Sequence, residues 1–560
     1  MSLIKTLVGW QRPVTMASTC LLALSLAACG GSDEGSSSGS TSGTVGSSSS
    51  SSSSGTAGSS SSSSSTSGTV GSSSSSSSSS GAPGSSSGSA SIPPDSTEPG
   101  RYRVNAQGRI TDNGTVFPVR CGNWFGLEGQ HEPKDAESNP NGAPLELYIG
   151  NMWWVESGRT IQQTMTEIKQ LGINTIRLPV APQTLEPNNE QGMTRVWNGS
   201  EKNPNGRLKN TADAYPYANA RAALEGFLDQ ANTNGLKVII DIHSCSNYLG
   251  WRAGRLDAQP PYADATRVGY DFKREEYSCS ETGNPSSVTT VQPYNEAKWL
   301  ENLKDLAGLA NKYPNIMGID VFNEPWDYTW DEWATLAEKA YEAIDSVNKN
   351  VLVLVEGIGS SKNDGTEVEH GDEFLNPNWG ENFYGFTERP LQIPRNRVVI
   401  SPHTYGPAVY VQQHFMDGEC SELHGDEAGE AKCQINIPGN VDLIRAGWDE
   451  HFGFLRDQNY AMIIGEFGGN MDWPNKTRAA ENEMWKHITE PVDVYWQEEF
   501  VDYMKGKGIE ACYWSINPES ADTYGLYEHK YDPVTADDAW GQWGDFDPRR
   551  VTLLKNLWGI

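Results

Sequence analysis

Short runs of β-branched and other apolar residues alternate with stretches of helical periodicity from Val119 to the end of the chain. Asn295–Lys312 shows the helical pattern well, because leucines recur every three residues from Leu300 to Leu309. Helices are predicted in this way for Ile161–Leu171, Ala220–Asn232, Asn295–Lys312, Trp333–Val347, Val441–Gln458, Val494–Lys507 and Arg549–Leu557. The apolar runs predict strands at Val119–Trp124, Asn174–Pro179, Lys237–His243, Ile316–Phe322, Val351–Val355, Arg397–His403, Ala461–Glu466 and Gly508–Trp514.

Alternating strands and helices are typical of parallel α/β folds. Eight strands in this order predict a (β/α)8 TIM barrel, with residues 247–294, 357–396 and 406–439 as long βα-loop insertions. An open doubly wound sheet is the alternative, but no Gly-rich phosphate-binding loop follows the first predicted strand. We therefore expect a single α/β barrel domain over residues 98–560.

Polar or aromatic residues stand at the carboxyl ends of the predicted strands. Because these ends lie on one face of a (β/α)8 barrel, the residues there are expected to build one site. The strand-end residues are Trp124, Arg177, His243, Asn323 with Glu324, Glu356, His403 with Tyr405, Glu466 and Trp514.

The sequence around these positions resembles glycoside hydrolase family 5, the cellulase-type retaining enzymes. Asn323-Glu324-Pro325 resembles the Asn-Glu-Pro motif of that family, and the segment 464–469 around Glu466 is similar to its seventh-strand nucleophile motif. The segments 174–179, 241–243, 401–405 and 513–515 resemble the ends of its second, third, sixth and eighth strands. The matches keep the family's order over residues 119–515, and this ordered set carries the resemblance.

The resemblance implies hydrolysis of glycosidic bonds with retention, which needs two carboxyl groups about 5–5.5 Å apart. Glu324 is then the acid/base, with a raised pKa, and Glu466 is the ionised nucleophile. Arg177 is suited to keep Glu466 ionised through a charge-assisted hydrogen bond. Asn323 would bond the 2-hydroxyl of the reacting sugar.

Other strand-end residues receive supporting roles from the same resemblance. Tyr405 is expected to contact Glu466, and the reacting sugar is expected to stack on Trp514. His243 and His403 would bond sugar hydroxyls or orient the carboxylates. Further candidates are Trp124 and Trp326 for outer sugar subsites and Glu356 for a sugar hydroxyl, whereas Asp320, inside the fourth strand, is interpreted as structural.

Composition narrows the class of ligand. The 42 basic and 72 acidic residues give a net charge of −30, which excludes a nucleic-acid binder. A mean hydropathy of −0.56 and the lack of a long apolar run exclude a polytopic membrane protein. The 19 tryptophans suggest flat apolar surfaces, and sugar rings are one ligand that stacks on them. That the sugar belongs to a β-linked polysaccharide is implied by the resemblance. The proposed chemistry requires no metal and no organic cofactor, and we expect the protein to act as a monomer.

The first 97 residues predict export and tethering. Lys5 and Arg12 precede a short apolar segment, and Leu26-Ala27-Ala28-Cys29 resembles the bacterial lipobox. Residues 1–28 are therefore predicted to be a lipoprotein signal peptide, and Cys29 is the predicted lipidation site. Residues 29–97 are predicted to be a disordered Ser/Gly-rich linker. We expect a lipoprotein of the outer membrane or cell surface, with release into the medium as an alternative, that contacts the membrane only through its anchor.

Six cysteines lie beyond the predicted anchor, and export permits disulfides among them. Cys420–Cys433 is the most plausible pair, because it closes a short loop, and Cys245–Cys279 would staple an insertion. Cys121 and Cys512 are either free thiols or a third pair. None has a spacing typical of a zinc site.

The leading hypothesis is a retaining endo-β-1,4-glucanase that acts on cellulose or related β-glucans. A β-mannanase or a xyloglucanase on the same scaffold is the nearest alternative, because family resemblance constrains the mechanism better than the sugar. A surface glycan-binding lipoprotein without catalytic activity is an alternative of a different class. Both carboxylates and Arg177 are present, which a pure binder does not require.

Overall fold

The computed structural model describes residues 93–127, 159–185, 217, 219–243, 296–362, 365–477, 479–520, 522–530 and 542–560. All of them belong to a unit that includes Ala90–Ile560. The predicted signal peptide, Cys29, most of the linker, the insertion 247–294 and the Cys245–Cys279 pair lie outside the described residues. None of the helices in the described part of the chain combines the length and apolar character needed to cross a lipid bilayer.

A small antiparallel sheet that the sequence did not predict precedes the barrel. It consists of β1 (Tyr102–Val104), β2 (Ile110–Asp112) and β3 (Thr115–Val116). Asn113 and Gly114 join the last two strands, and both have positive φ angles, 51° and 80°, as a tight hairpin turn requires. Apolar side chains of β1 and β2 pack against residues in the interior of the barrel, near the amino ends of its strands. The sheet therefore covers the end of the barrel opposite the strand carboxyl ends.

Eight parallel strands of the described residues form a closed barrel, in which each strand pairs with the next and the last pairs with the first. The predicted (β/α)8 fold is thereby confirmed, and each predicted strand overlaps an observed one. The barrel strands are β4 (Cys121–Asn123), β5 (Thr175–Val180), β6 (Lys237–Ile242), β7 (Ile316–Asp320), β8 (Leu352–Val355), β9 (Val398–Ile400), β10 (Ala461–Phe467) and β11 (Glu510–Tyr513). A final hairpin follows, β12 (Tyr527–His529) with β13 (Trp543–Phe546).

Helices pack around the barrel, and several begin at clear capping residues. Thr160 and Asn219 cap the first two helices, and Thr329 forms a capping box with Glu332 at the fourth. The helices are α1 (Ile161–Leu171), α2 (Ala220–Thr233), α3 (Glu296–Lys312), α4 (Trp330–Asp345), α5 (Gly425–Glu430), α6 (Val441–Trp448), α7 (Phe454–Asp457), α8 (Ala479–Trp485), α9 (Val492–Lys507) and α10 (Pro548–Trp558). Short 3₁₀ segments lie at Pro182–Leu185, Tyr384–Thr387, Gln413–Phe415 and Gly418–Cys420.

The helix predicted over 441–458 differs from the observed structure in one respect. A π-helical turn, Asp449–Gly453, separates α6 from α7. Inside this turn the carbonyl of His451 accepts a hydrogen bond from the backbone N–H of Phe383, at 2.9 Å. The π-helical turn therefore contacts the loop that follows β8. Helical periodicity does not predict such a turn, because it reports only which face of a helix is apolar.

Two disulfides are present among the described residues. Cys420 pairs with Cys433, as predicted. Cys121 pairs with Cys512, which decides between the two alternatives for these residues. The second bond joins β4 to β11, the strands whose pairing closes the barrel.

Candidate active site

The predicted site residues converge at the carboxyl ends of the barrel strands. One carboxylate oxygen of Glu324, one of Glu466 and a ring nitrogen of His403 all lie within 4.8 Å of one another. Two carboxyl groups that cleave a glycosidic bond with retention are about 5–5.5 Å apart, and about 6.5–9.5 Å apart with inversion. The observed spacing therefore suits retention.

Arg177 at the centre of β5 links the acids of the site. Its guanidinium donates to Glu466 Oε1 at 2.6 Å, to Glu356 Oε1 at 3.0 Å and to Asp320 Oδ2 at 3.0 Å. Its Nη2 also lies 3.1 Å from Asp241 Oδ2. Burial by itself lowers the pKa of Arg177, but the four carboxylates outweigh it and raise that pKa well above its ordinary value. The guanidinium is therefore a permanent positive charge.

Glu466, at the end of β10, is held ionised. Its Oε2 accepts a hydrogen bond from the Tyr405 hydroxyl at 2.7 Å, as the sequence predicted, and its Oε1 accepts the bond from Arg177. Burial favours the protonated form, but His403, Arg177, His243 and Tyr405 together lower the pKa of Glu466. The carboxylate is thus ready to act as a nucleophile.

Glu324 follows β7 and has the opposite shift. Burial raises its pKa, and the nearby charge of Glu466 raises it further, against the opposing effect of His403. His403 Nδ1 lies 3.2 Å from Glu324 Oε1. Two neighbouring carboxyl groups whose pKa values move apart are the usual sign of an acid and a nucleophile in one site.

Asn323 and His243 lie at the same face. The side-chain oxygen of Asn323 accepts a hydrogen bond from Arg177 Nη2 at 3.3 Å, which fixes the orientation of the amide. His243 Nδ1 lies 2.8 Å from Asp241 Oδ2, and its ring stacks on Trp514 with the centroids 5.6 Å apart. These contacts place both residues where the sequence predicted.

Trp514, after β11, forms an aromatic cluster with Phe125 and Tyr405. Its ring is nearly parallel to that of Phe125, with the centroids 5.4 Å apart. Because Tyr405 also bonds Glu466, this cluster adjoins the nucleophile. The predicted role of Trp514 as a stacking surface is compatible with that position.

Two predictions about the strand ends are wrong. Trp124 is fully buried between the barrel and α2, where it packs edge-on against Phe227, so it cannot line an outer subsite. Glu356 is also fully buried and bonds protein groups, so it does not reach a sugar hydroxyl. Trp326 remains a candidate subsite residue, because it lies two residues after Glu324 in the sequence. Its ring stacks on that of Trp379, with the centroids 4.8 Å apart.

Two positioning residues were not predicted from the sequence. Asn123 in β4 accepts a hydrogen bond from Arg177 Nη1 at 3.2 Å and donates to the carbonyl of Gly465 at 3.0 Å. Asp241 in β6 contacts both Arg177 and His243. Each is a polar residue within a buried strand, and that pattern is the signal that could have revealed it.

Two groups of side chains in the described residues have the spacing of metal ligands. They are Asp320 with Glu356 and His403, and Glu324 with His403 and Glu466. Arg177 already donates hydrogen bonds to three of these four carboxylates. Because those oxygens already accept hydrogen bonds from the guanidinium, we assign no metal to either group.

The chain is similar in sequence to a known protein family and to individual known proteins. Residues 138–520 match the family model described as cellulase, glycosyl hydrolase family 5. The chain is 56% identical over 478 residues to Endoglucanase C of Cellvibrio japonicus, covering 82% of this chain and 62% of that relative's length. It is 26% identical over 471 residues to the major extracellular endoglucanase of Xanthomonas campestris, covering 82% of this chain and 71% of that protein.

Solved structures show the same fold. The catalytic domain of the major endoglucanase from Xanthomonas campestris superposes with a TM-score of 0.54 at 24% identity, covering 82% of this chain and all of that one. A complex of an endocellulase from Pyrococcus horikoshii with cellotetraose gives a TM-score of 0.54 at 22% identity, covering 82% of this chain and 98% of that one.

Proposed function

The chain belongs to glycosyl hydrolase family 5, and on this premise we propose that it is a retaining endo-β-1,4-glucanase that cleaves cellulose or related β-glucans. One observation carries the proposal: Glu324 and Glu466 approach within 4.8 Å at the barrel face, with pKa values shifted in opposite directions. The name of the Cellvibrio relative supports the choice of substrate.

The reaction proceeds in two displacements. In the first, the Glu466 carboxylate attacks the anomeric carbon while Glu324 gives its proton to the leaving glycosidic oxygen. The bond to the leaving sugar breaks, and a covalent glycosyl ester forms on Glu466. In the second, Glu324 takes a proton from water, the water oxygen attacks the same carbon, and the ester bond breaks. The product keeps its anomeric configuration, and both glutamates return to their starting protonation.

The surrounding residues bind the reacting sugar and prepare the nucleophile. Asn323 donates to the 2-hydroxyl, a bond that strengthens in the transition state, and the ring of Trp514 stacks on the sugar face. Arg177 and Tyr405 keep Glu466 ionised until it attacks. His243 bonds a sugar hydroxyl or orients the carboxylates.

A substrate panel tests the proposal. The purified chain should release reducing ends from carboxymethylcellulose and lichenan while the viscosity falls early, as internal cleavage requires. Proton NMR should show the β-anomer as the first product. If mannan or xyloglucan were cleaved while carboxymethylcellulose and lichenan stayed intact, the glucanase assignment would give way to a β-mannanase or a xyloglucanase. If no polysaccharide were cleaved but one bound, the protein would be a glycan-binding lipoprotein.

We further propose that residues 1–28 direct export, that Cys29 carries the lipid anchor, and that residues 29–97 tether a monomeric catalytic domain over 98–560. The sequence of the leader supports the anchor, and the description of the Xanthomonas relative as extracellular supports export. Palmitate labelling in a bacterial host should mark the wild type but not Cys29→Ser. Equal export and labelling of both forms would contradict the anchor.

A further inference from the structure

The backbone of Glu324 adopts an unusual conformation. Its φ angle is 46°, in the left-handed region that residues with a side chain rarely occupy. Such a conformation costs free energy and persists only where neighbouring groups hold it in place. A residue that holds this backbone conformation should therefore affect how Glu324 supplies its proton.

Glu356, at the end of β8, makes that contact. Its Oε2 accepts a hydrogen bond from the backbone N–H of Glu324 at 2.7 Å. Its Oε1 accepts from Arg177 Nη2 at 3.0 Å and lies 3.2 Å from His403 Nε2. The Glu324 backbone and Arg177 each donate to one oxygen, so both oxygens of Glu356 are in use as acceptors. Burial raises the pKa of this carboxyl group well above its ordinary value, although His403 and Arg177 act in the opposite direction.

His403 extends the contact to the reacting group. Burial lowers its pKa, but Glu356, Glu466 and Glu324 raise it well above the ordinary value, which favours a ring with both nitrogens protonated. One nitrogen faces Glu356 and the other lies 3.2 Å from Glu324 Oε1. Because Oε1 accepts that bond, the transferable proton of Glu324 belongs on Oε2.

The position of Glu356 is itself fixed by close packing. Its side chain is fully buried, and its carbonyl accepts a hydrogen bond from Trp333 Nε1 at 2.8 Å. Gly380 lies against the carboxylate with a φ angle of 79°, and a Cβ added there would come 3.0 Å from Glu356 Oε2 and 3.4 Å from Glu324 Cγ. The Glu356 side chain is therefore closely packed in the position from which it contacts Glu324.

We propose that Glu356 is a positioning residue that holds the backbone of Glu324 and, through His403, directs its carboxyl group toward the glycosidic oxygen. This inference rests on the proposed function, because it takes Glu324 to be the proton donor. It is tested on the first displacement, in which Glu324 gives up its proton.

Glu356→Gln tests the inference. The new amide group must face either the Glu324 backbone N–H or the Arg177 guanidinium, so the two hydrogen bonds that Glu356 accepts cannot both form. Acid catalysis is worth about 10²–10⁴-fold, and we expect kcat/KM for cellotetraose to fall about 10- to 100-fold. A 2,4-dinitrophenyl β-cellobioside needs no proton on its leaving group, so its kcat/KM should fall less than about threefold.

The control is Glu510→Gln. Glu510 is a nearly buried carboxylate at the start of β11 that pairs with Arg109 at 2.9 Å, away from the strand carboxyl ends. That variant should keep both kcat/KM values within about twofold of the wild type. An equal fall on both substrates in Glu356→Gln, or no fall on either, would overturn the inference.

Gly380→Ala provides an independent test if Glu356→Gln does not fold. The added methyl group comes 3.0 Å from Glu356 Oε2, 3.3 Å from His403 Cβ and 3.4 Å from Glu324 Cγ, so these side chains must shift by a few tenths of an ångström while the Glu356 carboxyl group is kept. The same selective loss on cellotetraose is expected, whereas equal losses on both substrates would contradict the positioning role. If the wild type cleaves neither substrate, the proposed function fails instead, and that result is distinct from any pattern among the variants.

Discussion

Histidine is buried beside glutamate in two regions of this protein, and the pKa of the ring differs greatly between them. In the active site, carboxylates outnumber positive groups, and they raise the pKa of His403 well above its ordinary value although burial lowers it. In the second region burial prevails and lowers the pKa of His414 to about 4. The same degree of burial thus gives a charged ring in one place and a neutral ring in the other, according to the surplus of negative charge nearby.

The second region is a loop histidine cluster, formed by His370, His414, His451 and Glu381. His451 Nδ1 lies 2.8 Å from Glu381 Oε1, and the rings of His370 and His451 are 6.3 Å apart. Burial raises the pKa of Glu381, but His451 and Asn378 outweigh it, so the carboxylate is ionised. One carboxylate among three imidazoles leaves His414 without enough negative charge to hold a proton.

The two regions therefore respond to acid in opposite ways. His403 binds its proton more tightly in the folded state, so its contribution to stability is complete below the unfolded pKa of about 6.5 and is lost as the pH rises through the higher folded pKa. His414 binds its proton less tightly in the folded state. Its protonation therefore destabilises the fold as the pH falls below about 6.5.

The largest expected difference in kcat comes from replacing a glutamate by glutamine in each of the two regions. Glu466→Gln should lower kcat by roughly 10⁴-fold or more, because the amide cannot attack the anomeric carbon. Glu381→Gln should leave kcat within about twofold, because the hydrogen-bond partners of Glu381 are His451 and Asn378 rather than the active-site carboxyl groups. Initial rates on carboxymethylcellulose measure both, and wild-type rates in Glu466→Gln would remove the nucleophile assignment.

The effect of pH on His414 comes next. Between a folded pKa of about 4 and an unfolded value of 6.5, its protonation should cost the wild type about 3 kcal/mol on going from pH 7 to pH 4. His414→Gln cannot lose stability in this way. The free energy of unfolding of the variant, relative to that of the wild type, should therefore rise by about 3 kcal/mol between pH 7 and pH 4. Urea unfolding at both pH values measures it, and an unchanged difference would show that His414 is not buried as a neutral ring.

Tyr405→Phe should have a smaller effect, confined to the active site. The variant removes the 2.7 Å hydrogen bond to Glu466, and a bond to a charged group is worth about 1.5–3 kcal/mol. We expect kcat/KM to fall about 10- to 100-fold and the acidic limb of its pH profile to move to higher pH, since Glu466 then ionises less readily. A fall without movement of that limb would mean that Tyr405 acts on the sugar instead.

The order of the strands and the polar residues at their ends were predictable, because apolar runs and strand-end positions are local features of the sequence. Glu324, Glu466 and Arg177 were found in this way. The error at Trp124 has a simple cause: side chains alternate along a strand, and Asn123 points to Arg177, so its neighbour points outward. The alternation of side chains along the strand would have predicted that Asn123 points into the barrel and that Trp124 points away from it.

The loop histidine cluster could not be predicted in this way. His370 follows β8, His414 follows β9, and His451 lies in the π-helical turn, so three separate segments bring the rings together. No periodicity links such positions. The contact of Glu356 with the backbone of Glu324 is hidden for a similar reason, because it depends on a φ angle that the motif Asn-Glu-Pro does not reveal.

The smallest expected effect tests why the pKa of Glu381 is lowered in the folded protein while that of the active-site acid Glu324 is raised. The Asn378 side-chain amide donates to Glu381 Oε2 at 2.9 Å, and Asn378→Ala removes that bond but keeps the backbone N–H bond to the same oxygen. We expect a loss of about 1 kcal/mol at pH 7. Because the pKa of Glu381 is lowered by folding, this contribution exists above the unfolded pKa and disappears as the pH falls through the folded one. The stability difference between wild type and variant in urea should therefore shrink toward low pH. A difference that stays constant with pH would mean that the amide stabilises the loop by packing rather than by holding the charge.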